Sequence, residues 1–404
     1  MNALRDLRER AAARFEHLGW PTPELEEWRY TNLAPIARVP WKGGGETPSP
    51  VLPTLAGRAA LELVFVNGRF VSRTGGVQAS VTNLLSANGL VGQHLGKYAD
   101  FEQHAMVALN TAHMQDGAVI EIPANTVVDG FVHLLFLSSG DQTWSHPRNL
   151  IVARRNSQVA IVETYAGSGK YFTNAVTEIV AEDGAIVDHY KLECESREAF
   201  HVGTTQVHQG RSSSVSARNV AVGGGLVRNE VNGVLTGEGA NLLLDGLFVL
   251  TGEQHVDNHT VIDHASPHCE SYELYKGILD QSARGIFDGR IIVRPNAAKT
   301  VSRQENRNLL LSESAVIDSK PTLEIHNDDV KCNHGSTIGQ LEDEPLFYLR
   351  SRGLSEDEAR NLLVYAFASE IVDRMKIDPV REQVRRALFE QMPERLPERR
   401  EGSR

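Results

Sequence analysis

Apolar and polar positions fall along this chain in three textures. Between about residues 105 and 338, short apolar strands alternate with polar positions and begin after small or polar turns. Val159-Ala160-Ile161-Val162, Ala185-Ile186-Val187, Leu242-Leu243-Leu244, Gly285-Ile286-Phe287 and Ala315-Val316-Ile317 are such strands. They follow Asn156-Ser157, Asp183-Gly184, Glu238-Gly239, Gln281-Ser282 and Glu313-Ser314. The steps between them are irregular, mostly about thirty residues or a small multiple of a shorter unit, and long helical periodicity is absent. Stacked coils of a β-helix fit, because each coil buries its apolar row against the next. A large β-sandwich fits as well, and the strand pattern alone leaves both open.

The flanks read as helix. In the N-terminal region, 1–100, Leu4, Leu7, Ala11, Phe15 and Leu18 recur at three- and four-residue steps, as on an amphipathic helix. A Pro- and Gly-rich stretch from Pro40 to Pro53 predicts a loop or mobile segment. In the C-terminal region, 340–404, Asp343-Glu344-Pro345 opens a helix that Gly353 ends. Ser355-Glu356-Asp357-Glu358 is a capping box, and Ala359, Leu362, Leu363, Ala366 and Phe367 form the expected apolar face behind it. Asp378-Pro379 starts another helix, through about Gln391. These helices suit a docking module or a cap over the end of a coil stack, and the two roles are compatible. The tail from Arg395 to Arg404 reads as a solvated, frayed end.

Composition narrows the function. Apolar residues make up 41% of the 404, enough for a sizeable core. Aromatics are only 6% and Gly counts 34, which suits a turn-rich β fold. A net charge of -11 without a basic patch argues against nucleic-acid binding. No apolar run approaches the roughly 18 residues of a membrane span. Asp6, Glu9 and Glu16 argue against an N-terminal transit peptide. Three cysteines, Cys194, Cys269 and Cys332, without a CxxC pair exclude a disulfide framework and a self-contained zinc ribbon or four-Cys cluster site. Free thiols point to a reducing cytoplasm.

Two groups of residues invite metal chemistry. In Asp328-Asp329-Val330-Lys331-Cys332-Asn333-His334-Gly335-Ser336-Thr337, Cys332 and His334 share a face if the segment is a strand. Thiolate and imidazole both suit iron or zinc. Two ligands do not complete a tetrahedral site, so a metal here needs ligands from elsewhere, including another chain. The alternative is a buried Cys beside a structural His. The second group is His255, His259, His264, His268 and Cys269. Strand-forming neighbours set residues four apart about 13 Å from each other, so hydrogen-bonded core histidines fit better than a zinc pair. Gly223-Gly224-Gly225 lacks the Lys-Ser or Lys-Thr of a phosphate loop, so any nucleotide hydrolysis belongs to a partner. No Gly-x-Ser-x-Gly elbow or HExxH occurs, and the carboxylates show no ordered glycosidase pair. A polysaccharide-active β-helix enzyme would display an acid-lined groove and normally a signal peptide.

Asp329 to Gly339, followed by Asp343 to Gly353, resembles the C-terminal signature of the SufB/SufD family of the SUF iron–sulfur cluster assembly system. Pro21 to Thr31, His255 to Thr260 and Tyr275 to Leu279 extend the resemblance over most of the chain. Gly335-Ser336 after the histidine, where SufB-type chains tend to carry Glu-Ala, is similar to the SufD branch. The Trp28-Arg29-Tyr30-Thr31 opening and the sparse cysteines of a shorter chain are similar to it too. The resemblance implies a mainly β chain: a right-handed parallel β-helix core, 105–338, flanked by α-helical N- and C-terminal domains, 1–100 and 340–404. It implies a non-catalytic scaffold whose β-helix pairs with that of a SufB-type subunit. A transient cluster would be shared with that partner, with His334 as the ligand and Cys332 as the matching cysteine of the motif. A SufC-type ATPase would dock on the C-terminal helices, with Leu346, Phe347, Tyr348, Arg350, Arg352, Leu363 and Phe367 as contact candidates. No nucleotide would bind this chain itself. A self-sufficient homodimer, with two copies of Cys332 and His334, is the alternative scaffold.

Overall fold

The computed structural model describes residues 2–44, 55, 58–87 and 89–391. Its centre is a parallel β-solenoid of about eight turns. Each turn gives one strand to each of two long sheets, so strands about thirty residues apart become hydrogen-bonded neighbours. The first sheet runs from Ser80–Asn83 to Val316–Ile325, and the second from Arg69–Gly75 to Lys331–Gln340. The short strands expected in the middle region are all present, within Gln158–Ser168, Ile186–Cys194, Asn241–Leu250, Arg284–Val293 and Val316–Ile325.

The turns explain the irregular period. One corner of the solenoid is a ladder of left-handed residues: Asn125, Asn156, Gly184, Ser212, Gly239, His268 and Lys299. The backbone N–H of Asn156 donates to the carbonyl of Asp183, that of Gly184 to Arg211, that of Ser212 to Glu238, and so on along the stack. Positive φ is cheapest for Gly and Asn, so small and polar residues punctuate the strands. Coil length varies between ladder positions, and the ladder absorbs the variation.

Strand residues alternate between interior and exterior. The interior of the stack is a continuous apolar cluster that includes Ile161, Val187, Val215, Leu242, Phe287 and Ile291. The exterior of the second sheet is apolar as well, because helices cover it. Tyr190, Leu192, Val220, Leu247 and Leu274 pack against Val364, Ala368, Ile371, Val372, Met375 and Val384. Polar tethers add direction: Arg374 reaches Asp245 at 3.0 Å and Lys376 reaches Asp188 at 3.0 Å.

The helices Asp343–Ser351, Glu356–Val372 and Asp378–Gln391 begin and end close to expectation, with Gly353 at φ 99° and the Ser355–Glu358 capping box formed in both directions. Two expectations need correction. The last two helices run back along the outer face of the second sheet and do not cap the stack, because the uncovered apolar surface lies on that face. The core-facing stripe of Glu356–Val372 is Ala359, Val364, Ala368, Ile371 and Val372, whereas Leu362 is exposed. Apolar residues surround most of this helix, so which stripe turns inward is set by the sheet.

The N-terminal helix Asn2–Leu18 packs through Ala11 on the helix Ala105–His113, which lies within the region expected to be solenoid. The strands Leu61–Val66 and Arg69–Gly75, within the expected N-terminal region, extend the second sheet. A buried ion pair, Arg148 to Glu178 at 2.6 Å, ties this end together. The Glu178 carboxylate also accepts from the backbone N–H groups of Gly96, Tyr98 and Ala99. Within the stretch expected as loop, Lys42 and Gly43 pair with Thr143 and Trp144, and residues 45–53 lie outside those described. The C-terminal tail from Arg395 lies outside them too.

Candidate functional site

Among the described residues, no further strand follows at the C-terminal end of the stack. Lys331–Gln340 is an edge strand of the second sheet and Val316–Ile325 an edge strand of the first, each with a neighbour on one side only. An exposed edge is a ready template for another chain. Ile338 is 53% exposed and Val316 47%.

Register fixes what this end displays. Ser302 pairs with Cys332, Gln304 with His334, Asn306 with Ser336 and Asn308 with Ile338. Ser302, Gln304, Asn306 and Asn308 are buried in the interior, so Cys332, His334, Ser336 and Ile338 form the last interior-facing row, now at the surface. Cys332 packs half-buried against the central apolar cluster, and His334 is exposed. The two candidate ligands thus stand two residues apart on one strand, on the same face. A groove of about 430 Å³ runs along these two strands, from Arg303 to Arg307 on one and Asn333 to Thr337 on the other.

The interior becomes polar as it approaches this mouth. His264 meets Ser271 at 2.9 Å, and Ser271 meets Ser302 at 2.7 Å, one rung before Cys332. Gln304 donates to Glu273 at 2.7 Å, one rung before His334. Burial pushes Glu273 up to about 7. Burial also raises the Cys332 thiol, which is therefore protonated at neutral pH. The same cause lifts Cys194 to about 12 and raises Cys269. Neither is an activated thiolate.

The histidines between 255 and 268 do not converge. His259 binds Asp257 at 2.9 Å, His264 binds Ser271, and His255 binds Thr31 at 2.8 Å. His268 occupies the left-handed turn ladder, and the Cys269 thiol points to the Gly237 carbonyl. His264 is a hydrogen-bonded core histidine, His255 and His259 are hydrogen-bonded and half-buried, and His268 is exposed in a turn. Among the described residues, no three or more His, Cys, Asp or Glu side chains are grouped to hold a metal ion. Gly223-Gly224-Gly225 makes a tight corner against the backbone of Glu195 and Arg197.

The contact candidates on the C-terminal helices separate into two sets. Asp343–Ser351 buries none of its residues; Phe347 is 74% exposed and Tyr348 56%. Leu346 is half-buried, and Arg350 and Arg352 are exposed. Leu363 is half-buried, and Phe367 packs on the sheet with the Lys276 ammonium 4.6 Å from its ring centre.

Sequence reasoning missed a buried ionic cluster deeper in the stack. Glu163 accepts from Tyr165 at 2.7 Å, from Thr177 at 2.8 Å and from His189 at 3.0 Å. Burial opposes its charge, but these bonds hold its carboxyl below the usual range. Further along, Lys191 lies 3.0 Å from Glu193, and His201 stands between Glu193 and Glu195 at 3.2 and 2.8 Å. No motif marks these residues. They occupy alternate strand positions that read equally well as solvent-facing.

The chain is thus a parallel solenoid with helices along one flank and an edge strand that carries Cys332 and His334. Residues 136–367 match the family described as "SUF system FeS cluster assembly, SufBD core domain", and residues 63–134 match the SufBD protein N-terminal region. The chain belongs to the SufBD family of the SUF iron–sulfur cluster assembly system. An iron–sulfur cluster assembly SufBD family protein of Synechocystis is 35% identical over 94% of this chain and 89% of its own length. The iron–sulfur cluster assembly protein SufD of Escherichia coli is 27% identical over 93% and 90%. SufD of Bacillus subtilis is 30% identical over 70% and 66%.

Proposed function

We propose that this chain is a non-catalytic scaffold subunit of SUF cluster assembly, pairing through its open coil with a SufB-type subunit and carrying one SufC-type ATPase on its C-terminal helices. The observation that supports it most is the placement of Cys332 and His334 together on an uncovered edge strand. They amount to half of a tetrahedral ligand set, and an edge strand is where a second chain adds the remainder. The cluster is cargo, formed at the joint between the chains and released from it. A site split between two chains opens when the chains move, and the ATPase supplies that motion by drawing the docked helices together. The exposed Phe347 and Tyr348 suit the docking role, since aromatic side chains anchor interfaces. The cytoplasm is the proposed setting, where the three free cysteines stay reduced.

Co-expression with SufB- and SufC-type subunits, followed by size measurement and anaerobic cluster reconstitution, tests the proposal. A ternary complex that builds a cluster, beside an isolated chain that does not, is the expected result. A stable cluster on the isolated chain would overturn it in favour of a homodimeric scaffold.

A further inference from the structure

Glu273, Gln304 and His334 occupy one interior-facing row on three successive coils, each in register with the next. Glu273 and Gln304 are fully buried. The Gln304 amide nitrogen donates to Glu273 at 2.7 Å, on the coil before. Its carbonyl oxygen is buried and has no partner among the described residues. A buried carbonyl left unpaired costs about 1–3 kcal/mol, so a residue held this way calls for a donor. With the nitrogen committed to the preceding coil, the oxygen is left for the following one, where His334 stands. The facing strand is cut away to admit this amide: a Cβ at Gly289 would sit 2.4 Å from the Gln304 nitrogen.

We propose that Gln304 is a positioning residue for His334, anchored by Glu273 so that its carbonyl accepts the imidazole N–H and turns the other ring nitrogen toward incoming metal. The inference rests on the reading of His334 as a cluster ligand. An imidazole has one nitrogen to give to a metal, and the hydrogen bond made by the other decides which. Glu273 fixes the orientation of the amide, which is otherwise free to turn end for end. All three residues belong to this chain, so the contact needs no partner to form.

The test is ring-nitrogen NMR on the full chain labelled at histidine, with the exposed His326 as an internal reference for an unconstrained ring. His334 is expected to hold a single neutral tautomer. Gln304→Leu should shift its ring-nitrogen signals to the mixed pattern of His326, while Glu273→Gln, which keeps an acceptor for the amide, should leave them unchanged. Gly289→Ala displaces the amide without removing it and should produce the same shift, so the test survives if Gln304→Leu fails to fold. An unchanged His334 pattern in both Gln304→Leu and Gly289→Ala, or in whichever of them folds, overturns the proposal. Cluster yield in His334→Ala separates the two ideas: normal yield there refutes the ligand reading whatever the tautomer, and lost yield with an unchanged tautomer in Gln304→Leu refutes the positioning alone.

Discussion

The hydroxyls of Ser319 and Ser336 meet at 2.8 Å, joining the last strand of one sheet to the last strand of the other at the open end of the solenoid. Ser319 also donates to the Asn306 side-chain oxygen at 2.7 Å, which accepts from Asn308 at 2.6 Å. Asn306 in turn donates to the Tyr275 carbonyl at 3.2 Å. At this open end a polar network links the last strands of the two sheets.

Asn306 is the hub of that network, and Asn306→Leu should therefore cost stability although it adds apolar surface to an interior site. Several buried groups lose partners at once, for about 2 kcal/mol or more. Urea unfolding should show a lower midpoint with an unchanged slope. A midpoint equal to that of the unsubstituted chain would mean that the network contributes nothing.

The Arg148–Glu178 pair binds the N-terminal helical segment to the coils. Glu178→Ala leaves a buried guanidinium without its carboxylate and three backbone N–H groups without an acceptor. The expected loss is about 3–5 kcal/mol. Hydrogen exchange should accelerate first in residues 96–113, where those donors and the adjoining helix lie. Uniform acceleration over the whole chain would contradict a local role.

Much of the architecture was legible in the sequence, and the reasons for the exceptions are physical. Turns such as Asp183-Gly184 and Glu238-Gly239 mark coil corners because left-handed backbone favours Gly and Asn. The capping box at Ser355 is local chemistry and needed no tertiary knowledge. Inward and outward rows were harder to tell apart. In Ile186–Cys194, Tyr190 and Leu192 point outward beneath helices while His189, Lys191 and Glu193 point inward, the reverse of the usual pattern. The stripe of Glu356–Val372 was misread for a related reason, since Leu362-Leu363-Val364-Tyr365 offers apolar residues on almost every side. In the candidate site, the shared face of Cys332 and His334 follows from their spacing. The uncovered edge that exposes it depends on where the helices settle, and no local pattern carries that.

The buried Glu195–His201 contact predicts a pH dependence. Burial pushes Glu195 up to about 8 and His201 down to about 3. Unfolded, Glu195 releases its proton near 4.5, so between pH 4.5 and 8 the folded chain holds the extra proton and stability falls as pH rises. His201 acts in the opposite sense: unfolded it is protonated below 6.5, so its contribution is lost as pH falls from 6.5 towards 3. The two offset each other between 4.5 and 6.5, and the loss from Glu195 is uncompensated by His201 above that, worth up to about 2 kcal/mol by pH 8. Glu195→Gln should flatten the decline in Tm between pH 6.5 and 8. An equally steep decline in that variant would place its origin elsewhere.

Phe347 is exposed on a helix that buries none of its residues. Phe347→Asp should therefore leave the unfolding midpoint within about 0.5 kcal/mol of the original, while co-purification of the ATPase subunit falls sharply. Undiminished co-purification would move the docking surface off this helix.

His334→Ala in the co-expressed complex tests the central claim most directly, with cluster content read by absorbance after anaerobic reconstitution and assembly read by size. The account predicts a complex of unchanged size that fails to accumulate cluster. A complex that carries its normal cluster without the imidazole would contradict it.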